Sequence, residues 1–236
     1  MEKTIVLFSG GKDGMYALVK TRISNIDLIV TITSEEGANQ LHAGPEINNE
    51  LREAQLKLIG LPAQKLVVGQ GSNYLNEVFN GLKDIVQKEG ITRLVTGDLW
   101  HPYTTGIGDM LAGALGVEIL RPSRIDCPSN ESSRGYMGKV FQSGIESVVI
   151  GVRKGDLPKE FVGRNVDETF LNEMANYSND FAGEGGQYQT LVTSSPIMHG
   201  KIVISSFDVE LVQGKNGKES FYRMNTSDFS INQNGK

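Results

Sequence analysis

Six consecutive residues, Ser9-Gly10-Gly11-Lys12-Asp13-Gly14, hold the strongest chemical signal in the chain. They follow the apolar run Thr4–Phe8, and a helical pattern through Met15, Leu18 and Val19 starts directly after them. Glycines without a Cβ expose backbone N–H groups, and N–H groups at the start of a helix face an anion with the helix dipole behind them. The ligand this suits is a phosphate. Lys12 adds a positive charge, and Asp13 is a carboxylate able to hold a divalent cation beside the phosphates, which makes it the candidate metal ligand. The Walker spacing is absent, and so is the Gly-x-Gly-x-x-Gly pattern of dinucleotide sites. A glycine turn that needs only positive φ would explain the glycines, but not Ser, Lys and Asp in this order.

The second cluster is Gly183-Glu184-Gly185-Gly186-Gln187-Tyr188-Gln189-Thr190. Three glycines around a carboxylate let a loop press its backbone against a ligand; the plainer reading is a tight turn into a strand at Thr190–Thr193. Glu184 is the candidate for orienting a substrate or moving a proton. Asp98, after Gly97 at a strand end, is a second candidate. A carboxylate beside glycines also caps backbone N–H groups, so both have a structural alternative. Trp100 and Tyr103 fit either a pocket wall or packing, and His42 is a lone loop histidine.

The elements that must position these residues alternate between strand and helix. Strands are read at Thr4–Phe8, Asp27–Thr33, Gln64–Val68 and Arg93–Thr96. Ile47, Leu51, Ala54 and Leu58 share one helix face, closed by Gly60 and Pro62. Leu75, Val78, Leu82 and Ile85 form the buried stripe of another helix, with Ser72 as its cap. Strands apolar on both faces and separated by helices predict a doubly wound, mainly parallel α/β sheet. Ligands bind such sheets beyond the carboxyl ends of the strands, where Ser9–Gly14, Thr33 and Gly97–Trp100 fall. Further on, a helix is read over Asn130–Gln142, a strand over Ser147–Val152 and a helix capped by Asp167 through Phe170, Leu171 and Met174. Strands at Ile202–Ser206, Asp208–Val212 and Glu219–Met224, with a turn at Asn216-Gly217, give a smaller C-terminal part with extra β-strands. The expected division is 1–120 for the nucleotide-binding α/β domain, 121–224 for a substrate-side region and 225–236 for a fraying polar tail.

Composition narrows the class. The 236 residues are 39% hydrophobic and 22% charged, which excludes collagen-like and disordered chains. A single cysteine excludes an internal disulfide and a multi-thiolate metal site. The apolar runs are too short for a bilayer span, and no signal peptide precedes the first strand, so a cytoplasmic protein is expected without a membrane partner. A net charge of −5 speaks against nucleic acid as a partner.

Ser9-Gly10-Gly11-Lys12-Asp13 resembles the Ser-Gly-Gly-x-Asp-Ser loop of the N-type ATP pyrophosphatases, and Gly14 stands where that superfamily usually has Ser. The second cluster is similar to the Gly-Glu-Gly-Gly-Glu signature of the diphthine–ammonia ligase branch. Further matching blocks are His42 with Glu50-Leu51-Arg52-Glu53-Ala54-Gln55 and Gly60-Leu61-Pro62, then Thr96-Gly97-Asp98-Leu99, then Gly163-Arg164 with Asp167, and Pro196. Departures are Gln187 and Gln189 in place of carboxylate or His, and Pro122-Ser123-Arg124 in place of Pro-Leu-Trp.

The resemblance, from about residue 4 to 204, implies an adenine nucleotide alpha hydrolase-like, Rossmann-like fold. It also implies a ligase using ATP and Mg²⁺. The carboxylate of diphthine on elongation factor 2, or another carboxylate substrate, is adenylated; ammonia then gives the amide, with AMP and pyrophosphate released. On this reading Ser9, Gly10, Gly11, Lys12, Asp13, Gly14 and Thr33 bind ATP. Glu184, Asp98 and Lys12 are catalytic, and Asp13 holds the metal. His42, Gly185, Gly186, Gln187, Tyr188 and Thr190 meet the substrate. Three other readings stay open: sulfur transfer to tRNA, opposed by the lone Cys127; amidation of another small acid; and a nucleotide-binding module without turnover. A homo-oligomer is also left open.

Overall fold

The structure, a computed structural model, describes residues 2–22, 25–34, 49–69, 73–213 and 219–233. Among the described residues the first half holds β1 (Thr4–Leu7), α1 (Lys12–Thr21), β2 (Leu28–Ser34), α2 (Asn49–Ile59), β3 (Ala63–Val68), α3 (Tyr74–Glu89), β4 (Arg93–Val95), α4 (Pro102–Leu115) and β5 (Glu118–Leu120). The strands pair in parallel in the order β3-β2-β1-β4-β5. β1 sits centrally, and its side chains alternate between two cores. Ile5 packs with Val78, Leu82 and Ile85 of α3, while Val6 packs with Leu18 of α1 and Leu51 of α2. This is the α/β sheet that strands apolar on both faces require. The strand order reverses between β1 and β4, so the chain leaving each strand opens a crevice at their carboxyl ends.

The second half holds α5 (Pro122–Asp126), α6 (Ser133–Gln142), β6 (Glu146–Arg153), α7 (Glu168–Met174), β7 (Tyr188–Ser194), β8 (Gly200–Gln213) and β9 (Ser220–Gln233). Asp167 caps α7 as expected, its Oδ1 accepting from Phe170 N at 2.8 Å. The four strands form an antiparallel sheet in the order β7-β6-β9-β8. Its core is continuous with that of α1, because Phe170, Leu191 and Val192 belong to the same buried cluster as Leu18.

Three expectations change. The two short strands at Ile202–Ser206 and Asp208–Val212 are one strand, β8, interrupted by a register shift around Ser206. The tail expected to fray from Asn225 is instead the second half of β9, pairing as far as Gly200 with Gln233. Its polar composition hid the strand because it forms a largely exposed hairpin arm, in which Thr226 is the buried exception. The α3 N-cap residue is Asn73, without a side-chain cap bond, while Ser72, Ile47 and the Asn216-Gly217 turn lie outside the described residues. No helix among the described residues is long and apolar enough to cross a membrane.

Candidate functional site

The first loop is bolted to the second sheet. Gly10, at φ +91°, presents a carbonyl that accepts from Val192 N at 3.0 Å and from Gln55 Nε2 at 2.9 Å. The same Gln55 amide donates to Val192 O at 2.6 Å, so one buried side chain on α2 clamps both halves. Gly11 is the N-cap residue of α1 and makes no side-chain cap. Thr190 Oγ1 accepts from Lys12 N at 3.1 Å, and the rest of the first turn is available to an anion. Gly97 follows β4 so closely that a Cβ there would lie 2.6 Å from Gly14 N and 2.7 Å from Asp13 C. Ser123, on α5, donates to Asp13 O at 3.0 Å. A Cβ on Gly14 would come 3.2 Å from the buried Phe8 ring, a tight contact that glycine avoids.

Lys12 turns its ammonium toward the second loop while keeping hold of Asp13. Its ammonium is buried, donates to Ala182 O at 2.5 Å and to Asp13 Oδ2 at 2.9 Å, and lies 5.1 Å from the centre of the Tyr188 ring. Burial alone would lower its pKa; Asp13, followed by Tyr188 and Asp180, outweighs this and holds it above its ordinary value. Lys12 is therefore a charged latch from the first loop to the second. The other oxygen of Asp13 accepts from the Tyr136 hydroxyl at 2.9 Å.

The second loop is organised by a residue without a signal in its own type. Asp180 is buried, and its two carboxylate oxygens accept from Gly183 N at 3.0 Å and Gly185 N at 2.8 Å. These are the residues on either side of Glu184. Arg153 holds the far side, donating from Nη2 to Gly185 O at 2.8 Å. A side chain at Gly183 would strike the Tyr188 ring, and one at Gly186 would strike that guanidinium. Glu184 thus reaches across to the first half, where Oε1 accepts from Thr104 Oγ1 at 2.8 Å and Leu99 N at 3.4 Å. Burial and then the Asp13 charge push its carboxyl up to about 7, while the Thr104 and Leu99 bonds and Lys12 hold it back.

Asp98 is knitted into a different cluster. It accepts from Thr96 Oγ1 at 2.9 Å and Arg121 Nε at 3.5 Å, and Arg121 also binds Asp109 and the Thr105 carbonyl. Burial raises its pKa, and Thr96 and Arg121 oppose the rise.

These groups surround one cavity of about 300 Å³. One wall is polar, with Ser9, Gly11, Asp13, Arg52, Glu184 and Thr190; the other is apolar, with Val30, Ile32, Leu75, Val78, Ile107 and Leu111. Lys12, Gly14, Asp98, Gly186 and Tyr188 also line it, as does Tyr103, whereas Trp100 packs against the core. Gly10, Gly185 and Gln187 support the loops from behind, and the Gln187 Oε1 is buried without a hydrogen-bond partner. Thr33 is not on the cavity wall, since strand alternation puts its neighbour Ile32 there. His42 lies outside the described residues. Among the described residues no group of three or more His, Cys, Asp or Glu could hold a metal ion. Asp13 is one carboxylate with lone pairs to spare beyond its two donors, a donor set that fits Mg²⁺ carried on phosphates rather than in a protein cage.

The sequence profile of the diphthamide synthase N-terminal domain matches residues 2–119, and that of the C-terminal domain matches residues 132–224. The chain belongs to the diphthamide synthase family. Diphthine–ammonia ligases of Bos taurus and Homo sapiens are each 20% identical to it over 230 residues, covering 88% of this chain and 84% of theirs. A multifunctional pyruvate carboxylase from Rhizobium etli aligns over 95% of the chain and 21% of its own at 13% identity, with a TM-score of 0.30, too low to argue from. In this member of the diphthamide synthase family the first loop falls in the N-terminal match and the second in the C-terminal match, and the cavity lies at their seam. Sequence reasoning gave no role to Gln55, Arg52, Thr104 or Asp180. Gln55 and Arg52 stood inside a recognised block, but nothing in helix periodicity separates a residue facing a cavity from one facing a core.

Proposed function

We propose that this chain is an ATP-dependent acid–ammonia ligase that adenylates the diphthine carboxylate of elongation factor 2 and releases diphthamide, AMP and pyrophosphate. The observation that carries the reading is the meeting of an uncapped, glycine-rich helix start with a buried carboxylate near neutrality across one cavity. The apolar lining suits a nucleobase, and the N–H groups of Gly11, Asp13 and Gly14 suit phosphates. Asp13 would hold Mg²⁺, which neutralises phosphate charge. The substrate carboxylate is nucleophilic as it stands, so the protein's task is to align it with the α-phosphate and stabilise the charge that moves to the leaving pyrophosphate. Ammonia then attacks the acyl carbon. Glu184, titrating near neutrality, would accept the proton that ammonium must lose. Lys12, Gln55 and Asp180 keep the two loops in register.

The test is incubation with Mg-ATP, ammonium and elongation factor 2 carrying diphthine, followed by intact mass and nucleotide chromatography. Amide together with AMP supports the proposal. AMP formation without amide moves the acceptor elsewhere, and ATP binding without AMP favours a module without turnover. Amidation of another small acid is the second reading, because the neutral Gln189 lines the cavity where the resembled signature implies a carboxylate or His.

A further inference from the structure

Arg52 sits within α2 with only 8% of its surface exposed. A guanidinium this buried is normally paired with an acid, since taking the charge out of water is unfavourable. Among the described residues its hydrogen-bond partner is Asn49, whose Oδ1 accepts from Nη2 at 2.8 Å. Asn49 is neutral. The direction of its titration agrees: burial lowers it, and no carboxylate among the described residues raises it.

The surroundings supply the missing anion's address. Arg52 lines the same cavity as Ser9, Gly11 and Asp13. Its Cγ lies 3.5 Å from the position a Cβ on Gly10 would take, so the stem runs along the flank of the phosphate loop. Gly11 faces Thr190 on β7. Lys12 is already engaged by Asp13, Ala182 and Tyr188, and Arg121 by Asp98 and Asp109. Arg52 is thus the cavity cation that no acid holds among the described residues.

We infer that Arg52 binds the pyrophosphate end of the nucleotide through its planar fork of N–H donors. The inference rests on the nucleotide-binding reading of the first loop and adds the group that grips the leaving portion. When the substrate carboxylate oxygen bonds to the α-phosphorus, the bond from that phosphorus to the bridging oxygen breaks. The electron pair leaves on the pyrophosphate, where a bidentate guanidinium gains most from the added charge. An acceptor carboxylate shares the same oxyanion chemistry, and the experiment separates the two.

Inorganic pyrophosphate is titrated calorimetrically into wild type, Arg52→Lys and Arg52→Gln, with circular dichroism and melting as controls for folding. The expected result is a loss of affinity of roughly 10- to 100-fold for Arg52→Gln, the range of a charged hydrogen bond, and an intermediate loss for Arg52→Lys. If Arg52→Gln fails to fold, Arg52→Lys decides, and wild-type affinity there overturns the inference. Unchanged pyrophosphate affinity in both variants with a raised KM for the acceptor overturns it in favour of the carboxylate. If wild type itself does not bind pyrophosphate, the phosphate-loop reading falls and the role of Arg52 falls with it.

Discussion

Replacing Glu184 by Gln should make the protein more stable at alkaline pH and leave it little changed in acid. The carboxyl titrates near 7 in the folded chain and at the ordinary 4.5 when unfolded. Between those values the folded state holds a proton that the unfolded state has released, so stability is full below 4.5 and is lost as pH rises through 7. Each tenfold change in an acid constant is about 1.4 kcal/mol, which puts the loss at about 3 kcal/mol, a ceiling because the carboxylate faces a cavity open to water. Glutamine keeps an oxygen for Thr104 and Leu99 but has no proton to lose. Urea unfolding of both proteins at pH 4.5 and pH 8, followed by circular dichroism, measures the effect. The variant should gain on wild type by about 2–3 kcal/mol between the two conditions. A difference constant to within about 0.5 kcal/mol would show that Glu184 ionises like a solvated carboxylate and would remove the basis for the proposed proton transfer.

Gly97→Ala would drive a methyl group into the backbone of Asp13 and Gly14, atoms that cannot rotate aside. A destabilisation of about 1–3 kcal/mol and at least tenfold weaker ATP binding are expected from melting and nucleotide titration, and wild-type values would contradict the loop's placement. Asp13→Ala should abolish AMP formation while also releasing Lys12 and Tyr136, and normal turnover would take Asp13 out of the reaction. Asp180→Ala frees the N–H groups flanking Glu184; kcat should fall about 10- to 100-fold with ATP affinity held within about twofold. An equal fall in both would assign Asp180 to the fold rather than to the aim of Glu184.

Much of the first half was legible because its strands are short apolar runs and its helices carry clean stripes. Leu75, Val78, Leu82 and Ile85 face the sheet as the spacing requires, with Leu75 at the less buried end. Gly60 and Gly90 close their helices in positive-φ conformations. The glycines of the two loops were legible for the same steric reason, and the cavity they share is where the parallel sheet predicts one. The hairpin arm was not legible, because Asn225–Gln233 is polar on an exposed edge and its partner strand shifts register at Ser206. The aim of Lys12 was not legible either. Sequence gives a cation next to phosphate-binding glycines, but only packing shows its ammonium turned toward Ala182 and Tyr188. Thr33 lies off the cavity lining through the two-residue period of a strand, where adjacent positions face opposite sides.

The clamp made by Gln55 has a consequence in time. Its single amide joins Gly10, near the start of the chain, to Val192, after most of it. A ribosome extending the chain completes the parallel sheet well before β7 emerges, and at that stage the glycine loop has neither the Val192 bond nor the Thr190 bond that fix its path. The cavity is therefore a late product of folding, closed by contacts of very large sequence separation that form slowly. A nascent or C-terminally cleaved chain would contain the whole signature of the first loop without the Thr190 and Val192 contacts that fix its path.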